Sequence, residues 1–174
     1  MTRFLEVFMK TKKIATYGLL VSLAFILSYL ESLFPIPIPI PGIKIGVANL
    51  VVMIALYGFG STQAFVLSII RIILVGFTFG NLSTMMYSLA GGLLSCLLMI
   101  LFKKLKFFSM VGVSIIGGIS HNIGQILMAI LILESASIIN YLPALLITGT
   151  ITGTLIGIIG GLIEKRLKKF LVNY

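Results

Sequence analysis

The sequence predicts an all-α integral membrane protein: six transmembrane helices in one bundle, both termini in the cytoplasm, and a proline-rich extended outer loop between helices one and two. Three observations carry this. The 174-residue chain is 59% hydrophobic and only 10% charged, with a mean hydropathy of +1.21, a membrane composition rather than a soluble one. Its apolar residues fall into long runs, and six spans of about 20 residues use about 120 residues, which leaves only short loops. Its basic residues gather at the borders of those runs. A soluble catalytic domain has no room, so residues 1–174 read as a single, multi-pass transmembrane domain in the cell membrane.

Residues 1–12 form a basic cytoplasmic start, with Phe4, Leu5, Phe8 and Met9 available to the interface. Helix one is expected over about 13–33. It exceeds a signal-peptide core in length and no small-residue cleavage site follows it, so it reads as an anchor. Ala15, Gly18 and Ser22 give it one small face, the kind that lets membrane helices approach closely. The outer loop, 34–44, contains Pro35, Pro37, Pro39 and Pro41. Each lacks a backbone N–H and fixes φ, and each pushes its predecessor toward extended geometry. At ~3.1 Å per residue, Phe34 to Gly42 would reach roughly 25–28 Å. Irregular backbone cannot face lipid, because its polar groups would stay unsatisfied. The loop therefore lies outside the bilayer or lines a cavity, and reads as the lid or wall of a binding site.

Helix two starts between Lys44 and Val47 and ends by Gly58-Phe59-Gly60, a short element cut back by the proline loop. Helix three spans about 61–76 and carries Arg71. Residues 77–83 form a turn containing Gly80 and Asn81. Helix four spans about 84–102 and stops at Lys103, Lys104 and Lys106. Helix five spans about 109–133 and helix six about 140–164, followed by a basic cytoplasmic tail, 165–174. Topology follows from the basic residues. With both termini inside, eleven of the 13 Lys and Arg are cytoplasmic; the exceptions are Lys44 in the outer loop and Arg71 within helix three. The net charge of +9 is thereby an orientation signal that also meets anionic lipid, not a nucleic-acid footprint.

Ionisable groups inside a membrane cost roughly 2.5–3.5 kcal/mol on insertion scales and mark functional sites by default. Arg71 lies roughly 15 Å into the membrane at 1.5 Å per residue. It either binds a ligand, for which its planar guanidinium suits a carboxylate or phosphate, or pairs with Glu31 as a buried ion pair. On helix five, His121 and Gln125 share a face, extended by Ser114 and Gly118, with Asn122 about 100° round. These polar groups beside glycines form either a pocket wall or interhelical hydrogen bonds. Glu31 and Lys44 flank the loop, as site residues or as snorkelling interfacial groups, and Asn49 follows one turn into helix two. With Asn81 in the turn after helix three, the candidate substrate-binding set is Glu31, Lys44, Asn49, Arg71, Asn81, His121, Asn122 and Gln125.

Other features carry no chemistry. Gly149, Gly153 and Gly157 on helix six make a packing motif, against an internal neighbour or a partner subunit. Cys96, the single cysteine, excludes an internal disulfide and reads as a buried small hydrophobe. There is no Asp at all, no P-loop and no acidic metal motif, and Glu6, Glu31, Glu134 and Glu164 lie on different segments. No metal or other cofactor is expected. A prenyl-diphosphate-forming enzyme needs carboxylates to hold Mg²⁺, so the chain reads as no enzyme, and it does not itself hydrolyse ATP.

Lys12-Lys-Ile-Ala15, Gly18-Leu-Leu20, Glu31-Ser32, Pro41-Gly-Ile-Lys-Ile-Gly-Val-Ala-Asn49, Arg71, Ser88-Leu-Ala-Gly-Gly92 and Ser120-His-Asn-Ile-Gly-Gln125 resemble the Gx transporter family, often labelled heptaprenyl diphosphate synthase component I. The resemblance covers nearly the whole chain. That family is similar to the substrate-binding (S) components of energy-coupling factor transporters, six-helix proteins that bind a vitamin-like ligand near the outer face. The resemblance implies a partner-docking face made of Ala15, Gly18 and Ser22, against a transmembrane coupling subunit served by two ATPases. It also implies a pocket built from the first loop, the outer end of helix three and helix five. The leading expectation is therefore the substrate-binding membrane subunit of an energy-coupled importer for a small, vitamin- or cofactor-precursor-like solute. One alternative is a non-catalytic membrane subunit of a soluble prenyl diphosphate synthase. Another is a stand-alone ion-coupled carrier, with His121 and Glu31 as protonation candidates.

Overall fold

A computed structural model of the chain describes residues 2–33, 44 and 46–172; for residues 2–10, 12, 13 and 167–172 it describes the backbone alone. The proline loop expected at 34–44 therefore lies, apart from Lys44, outside the described residues. Six α-helices follow one another: α1 (Thr2–Leu33), α2 (Asn49–Gly58), α3 (Ser61–Thr78), α4 (Leu82–Leu105), α5 (Met110–Leu133) and α6 (Leu142–Val172). A 3₁₀ segment, Ala136–Tyr141, leads into α6.

The expected helix boundaries move for identifiable reasons. α1 begins at Thr2 rather than near residue 13, since residues 2–12 contain no Pro or Gly and several good helix formers. α4 begins at Leu82 because Asn81 caps it: the Asn81 side chain accepts from Thr84 N at 2.8 Å, while Thr84 Oγ1 accepts from Asn81 N at 2.9 Å. This reciprocal pair is a capping box. α5 starts where the Ser109 hydroxyl accepts from Gly112 N at 3.2 Å. α6 starts two residues later than expected, with Pro143 in its first turn, where a missing N–H is harmless.

Five stretches have the length and hydropathy to cross a membrane: Ile14–Leu33, Ser61–Thr78, Leu82–Lys104, Met110–Leu133 and Ala136–Arg166. α2, the sixth, has ten residues, about 15 Å, half a hydrocarbon core. The expectation of six spans is met in part: the described residues form six α-helices, of which five are of spanning length. The distribution of side chains is that of a multi-pass membrane protein. Large apolar groups such as Leu19, Phe77, Leu131, Ile147 and Leu162 are exposed, whereas Arg71, His121, Asn122 and Gln125 are buried.

α5 is central, with half of its span buried against 17% for the peripheral α1. Its polar and glycine residues serve two interfaces. Toward α6 the backbones nearly touch: a methyl group on Gly149 would lie 2.9 Å from the Gly118 carbonyl oxygen, and one on Gly153 would lie 2.7 Å from Ile115 Cα. The glycine motif of α6 is therefore an internal contact. Asn122 reinforces it by donating to Leu145 O at 2.6 Å. Toward α4, a methyl group on Gly124 would lie 2.6 Å from Ala90 O. Lipid-side hydroxyls on α6 are satisfied within the helix, as where Thr150 donates to Leu146 O and Thr154 to Thr150 O, both at 2.8 Å.

The apolar core is divided. One cluster, around Val51, Met53, Leu56, Leu67 and Met99, holds α2 among α1, α3, α4 and α6; a smaller one joins Tyr87, Ile126, Ala129, Ile138 and Leu145. At one end of the bundle Tyr17 donates to Gln63 O at 2.7 Å. There Lys103 donates to Leu56 O at the end of α2 and places its Nζ 4.8 Å from the Tyr57 ring centroid. A lysine read from sequence as an orientation signal thus also ties α4 to the last carbonyls of α2, which have no partner within the helix. The opposite end carries the polar cleft.

Candidate functional site

Arg71 sits on the inward face of α3 with Ala64, Leu67 and Ser68, the spacing of one helical stripe. That stripe places a guanidinium, 5% exposed, against a cleft lined by Ser28, Glu31, Lys44, Gly46, Arg71, Ile72, Val75, Ser88 and His121. The cleft's free volume is about 10 Å³, room for about one water molecule.

Its walls are built by tight local chemistry. Gly46 adopts φ +90°, a left-handed conformation that side-chain-bearing residues rarely accept. It also lies where a methyl group would approach Asn49 Nδ2 to 3.0 Å and His121 Cδ2 to 3.2 Å. The turn at Gly46 lets Glu31 Oε1 accept from the backbone N–H of Gly46 and, at 3.3 Å, of Val47. The carboxylate at the end of α1 thereby anchors the entry to α2. Gln125, with its amide oriented so that both atoms are satisfied, donates to Lys44 O at 3.0 Å. The same orientation lets it accept from Lys44 N at 3.2 Å and from His121 Nε2 at 3.3 Å. A single side chain of α5 thus grips both backbone groups of Lys44, as a neighbouring strand would.

The Lys44 ammonium lies 5.8 Å from the Phe79 ring centroid, and Phe79 packs edge-on against Phe25 and Tyr29. Burial pushes the Lys44 ammonium below the usual lysine range; Glu31 draws it back up and Arg71 pushes it further down. Three polar atoms around the cleft are buried without a hydrogen-bond partner: Glu31 Oε2, Arg71 Nε and His121 Nδ1. Unsatisfied buried polar groups are costly and call for an explanation. Glu31, Arg71 and His121 all line the cleft, while a methyl group on Gly91 of α4 would lie 3.0 Å from His121 Nδ1. Ser95 Oγ and Asn122 Oδ1, outside the lining, are also buried without a partner.

Of the candidate set, Glu31, Lys44, Arg71 and His121 line the cleft. Asn49 is buried beneath Gly46, donating its backbone N–H to Gly46 O at 2.8 Å. Gln125 acts through Lys44 and His121. Asn122 is spent on α6, and Asn81, exposed, on the cap of α4; neither lines the cleft. Sequence reasoning missed Ser28, Gly46 and Ser88. Ser28 lies one turn before Glu31 on the same face, a spacing that points to it. Gly46 enters the sequence reading only within the Pro41–Asn49 motif. Among the described residues, no three His, Cys, Asp or Glu come together as a metal site.

The proposed docking residues lie elsewhere. Ala15, Gly18 and Ser22 are exposed, and a methyl group on Gly18 would meet nothing within 4 Å. Ser22 satisfies its hydroxyl on Gly18 O at 3.1 Å. The small face of α1 is open.

Comparison with known proteins gives two findings. A solved structure described as the S component of a bacterial ECF transporter has a similar fold, with a TM-score of 0.71 over 93% of this chain and 98% of that one, at 20% sequence identity. No curated protein matches the chain. The sequence profile of the family described as heptaprenyl diphosphate synthase component I matches residues 20–163, which span every element of the cleft, and the chain belongs to that family.

Proposed function

We propose that this chain is the substrate-binding membrane subunit of an energy-coupled importer and that the cleft at Arg71 is its solute site. The observation that carries the reading is the buried Arg71 lining one cleft with Glu31, Lys44 and His121, with Arg71 Nε and Glu31 Oε2 buried and unpartnered. Charged groups inside a membrane bundle mark functional sites by default. The S-component-like fold and the open small face of α1 support the same reading. Glu31, Lys44, Arg71 and His121 face the solute, while Asn49 and Gln125 hold the walls. Ala15, Gly18 and Ser22 dock on a transmembrane coupling subunit served by two ATPases. The chain performs no chemistry on its cargo. In this state the cleft is narrow, so a vitamin-sized solute enters as its walls move apart.

The family description favours a second reading, a non-catalytic membrane partner of a soluble prenyl diphosphate synthase. Affinity purification of the tagged chain from its native membrane separates the two. Recovery of a coupling subunit with ATPases supports the importer; recovery of a soluble synthase without them would replace it.

A further inference from the structure

Resting on the reading of this chain as a solute-binding subunit, the charges around the cleft narrow the class of solute. Arg71 and Lys44 bring two positive charges and Glu31 one negative charge to the same lining. One oxygen of the carboxylate is engaged, since Oε1 accepts from Gly46 and Val47, while Oε2 has no partner. With the His121 imidazole neutral, as an ordinary imidazole largely is at pH 7, the lining holds one surplus positive charge, shared by the buried Arg71 and the half-buried Lys44. An unpaired buried charge is costly, and a single opposite charge removes that cost. A neutral guest leaves the surplus in place, a cation enlarges it, and a dianion replaces it with a surplus of the other sign. The guanidinium's planar donors match a carboxylate, two hydrogen bonds at a time, and Arg71 Nε is unoccupied. Ile72 and Val75 offer an apolar wall, with the hydroxyls of Ser28 and Ser88 beside it. We infer that the cleft takes a small monocarboxylate, its carboxylate between Arg71 and Lys44 and its hydrocarbon body against Ile72 and Val75.

The test uses the full chain in nanodiscs of pure phosphatidylcholine, so that anionic lipid supplies no carboxylate. Native mass spectrometry reads retention of 3-methylbutanoate and 3-phenylpropanoate, of their amides and corresponding amines, and of succinate and phenyl phosphate. The monocarboxylates are expected to be retained at least tenfold better than the other probes. Arg71→Gln should reduce that retention by roughly tenfold or more, the scale of one lost hydrogen bond between charged groups. Glu31→Gln keeps an oxygen acceptor for Gly46 and Val47 and raises the surplus by one, so it should shift preference toward succinate and phenyl phosphate. This gain does not arise from a merely damaged fold. Equal retention of the amides, or an unchanged Arg71→Gln variant, would overturn the charge assignment and leave the importer reading standing. Retention of no probe also overturns the inference, while the importer reading is decided separately by which proteins co-purify. A parallel sample containing oleate distinguishes a lipid carboxylate from a solute's; retention of oleate alone overturns the inference.

Discussion

Gly46 and Gln125 show how few contacts shape the cleft. The left-handed turn at Gly46 presents two N–H groups to Glu31, and Gln125 grips the Lys44 backbone from α5. Arg71 was legible in the sequence because a charge in an apolar run has no neutral explanation. Gln125 was legible as polar but not as a clamp, since its partners are backbone groups, which every residue has and only the fold brings near. Lys44 yields a prediction with a definite sign. Its proton is held less tightly than an ordinary lysine's, first because of burial. Below its folded pKa it is charged and binds an anion fully; as pH rises through that value the charge and the affinity fall together. Affinity for an anionic ligand should therefore decline on the alkaline side at a pH below the ordinary lysine range. Lys44→Arg, which stays charged, should abolish the decline. A titration of ligand binding against pH for both proteins checks this; identical alkaline limbs would place the titrating group elsewhere.

Two helices carry stripes of small residues, and the sequence alone could not tell their uses apart. On α6 the stripe is filled by α5: a methyl group on Gly157 would lie 2.6 Å from Val111 Cα, and Gly118 and Gly149 face each other backbone to backbone. On α1 the stripe is open. Periodicity fixes which face is small, whereas occupancy depends on which helix arrives there. Gly118→Leu should force α5 from α6 and destabilise the bundle by at least ~1–3 kcal/mol, read as a fall in the unfolding midpoint in detergent. Gly18→Leu should leave that midpoint within the ~0.5 kcal/mol typical of surface changes and spare solute binding, yet abolish energised uptake. Loss of solute binding in Gly18→Leu would contradict the docking role of α1. The helices themselves were legible from apolar run length and basic borders. Their ends were less so, because Asn81 and Ser109 act through capping geometry that composition does not record.

At the scale of the molecule, a polar cleft occupies one end of the bundle and the Lys103 lock on α2 the other. The cluster of apolar residues around Val51, Met53 and Leu56 lies between them. The distribution of Lys and Arg predicts an outer position for the cleft. Ser137→Cys and Lys106→Cys, both at exposed positions, should therefore label with an impermeant thiol reagent only from outside and only from inside, respectively; the reverse pattern would invert the topology. What the sequence left open was whether Arg71 meets a ligand or Glu31. The most direct measurement is a high-resolution structure of the protein in lipid after incubation with extract of its native cells. The account predicts density for a bound molecule in contact with the Arg71 guanidinium and within reach of Lys44. Arg71 paired directly to Glu31 with the cleft shut, or a bound molecule seated away from these residues, would contradict it.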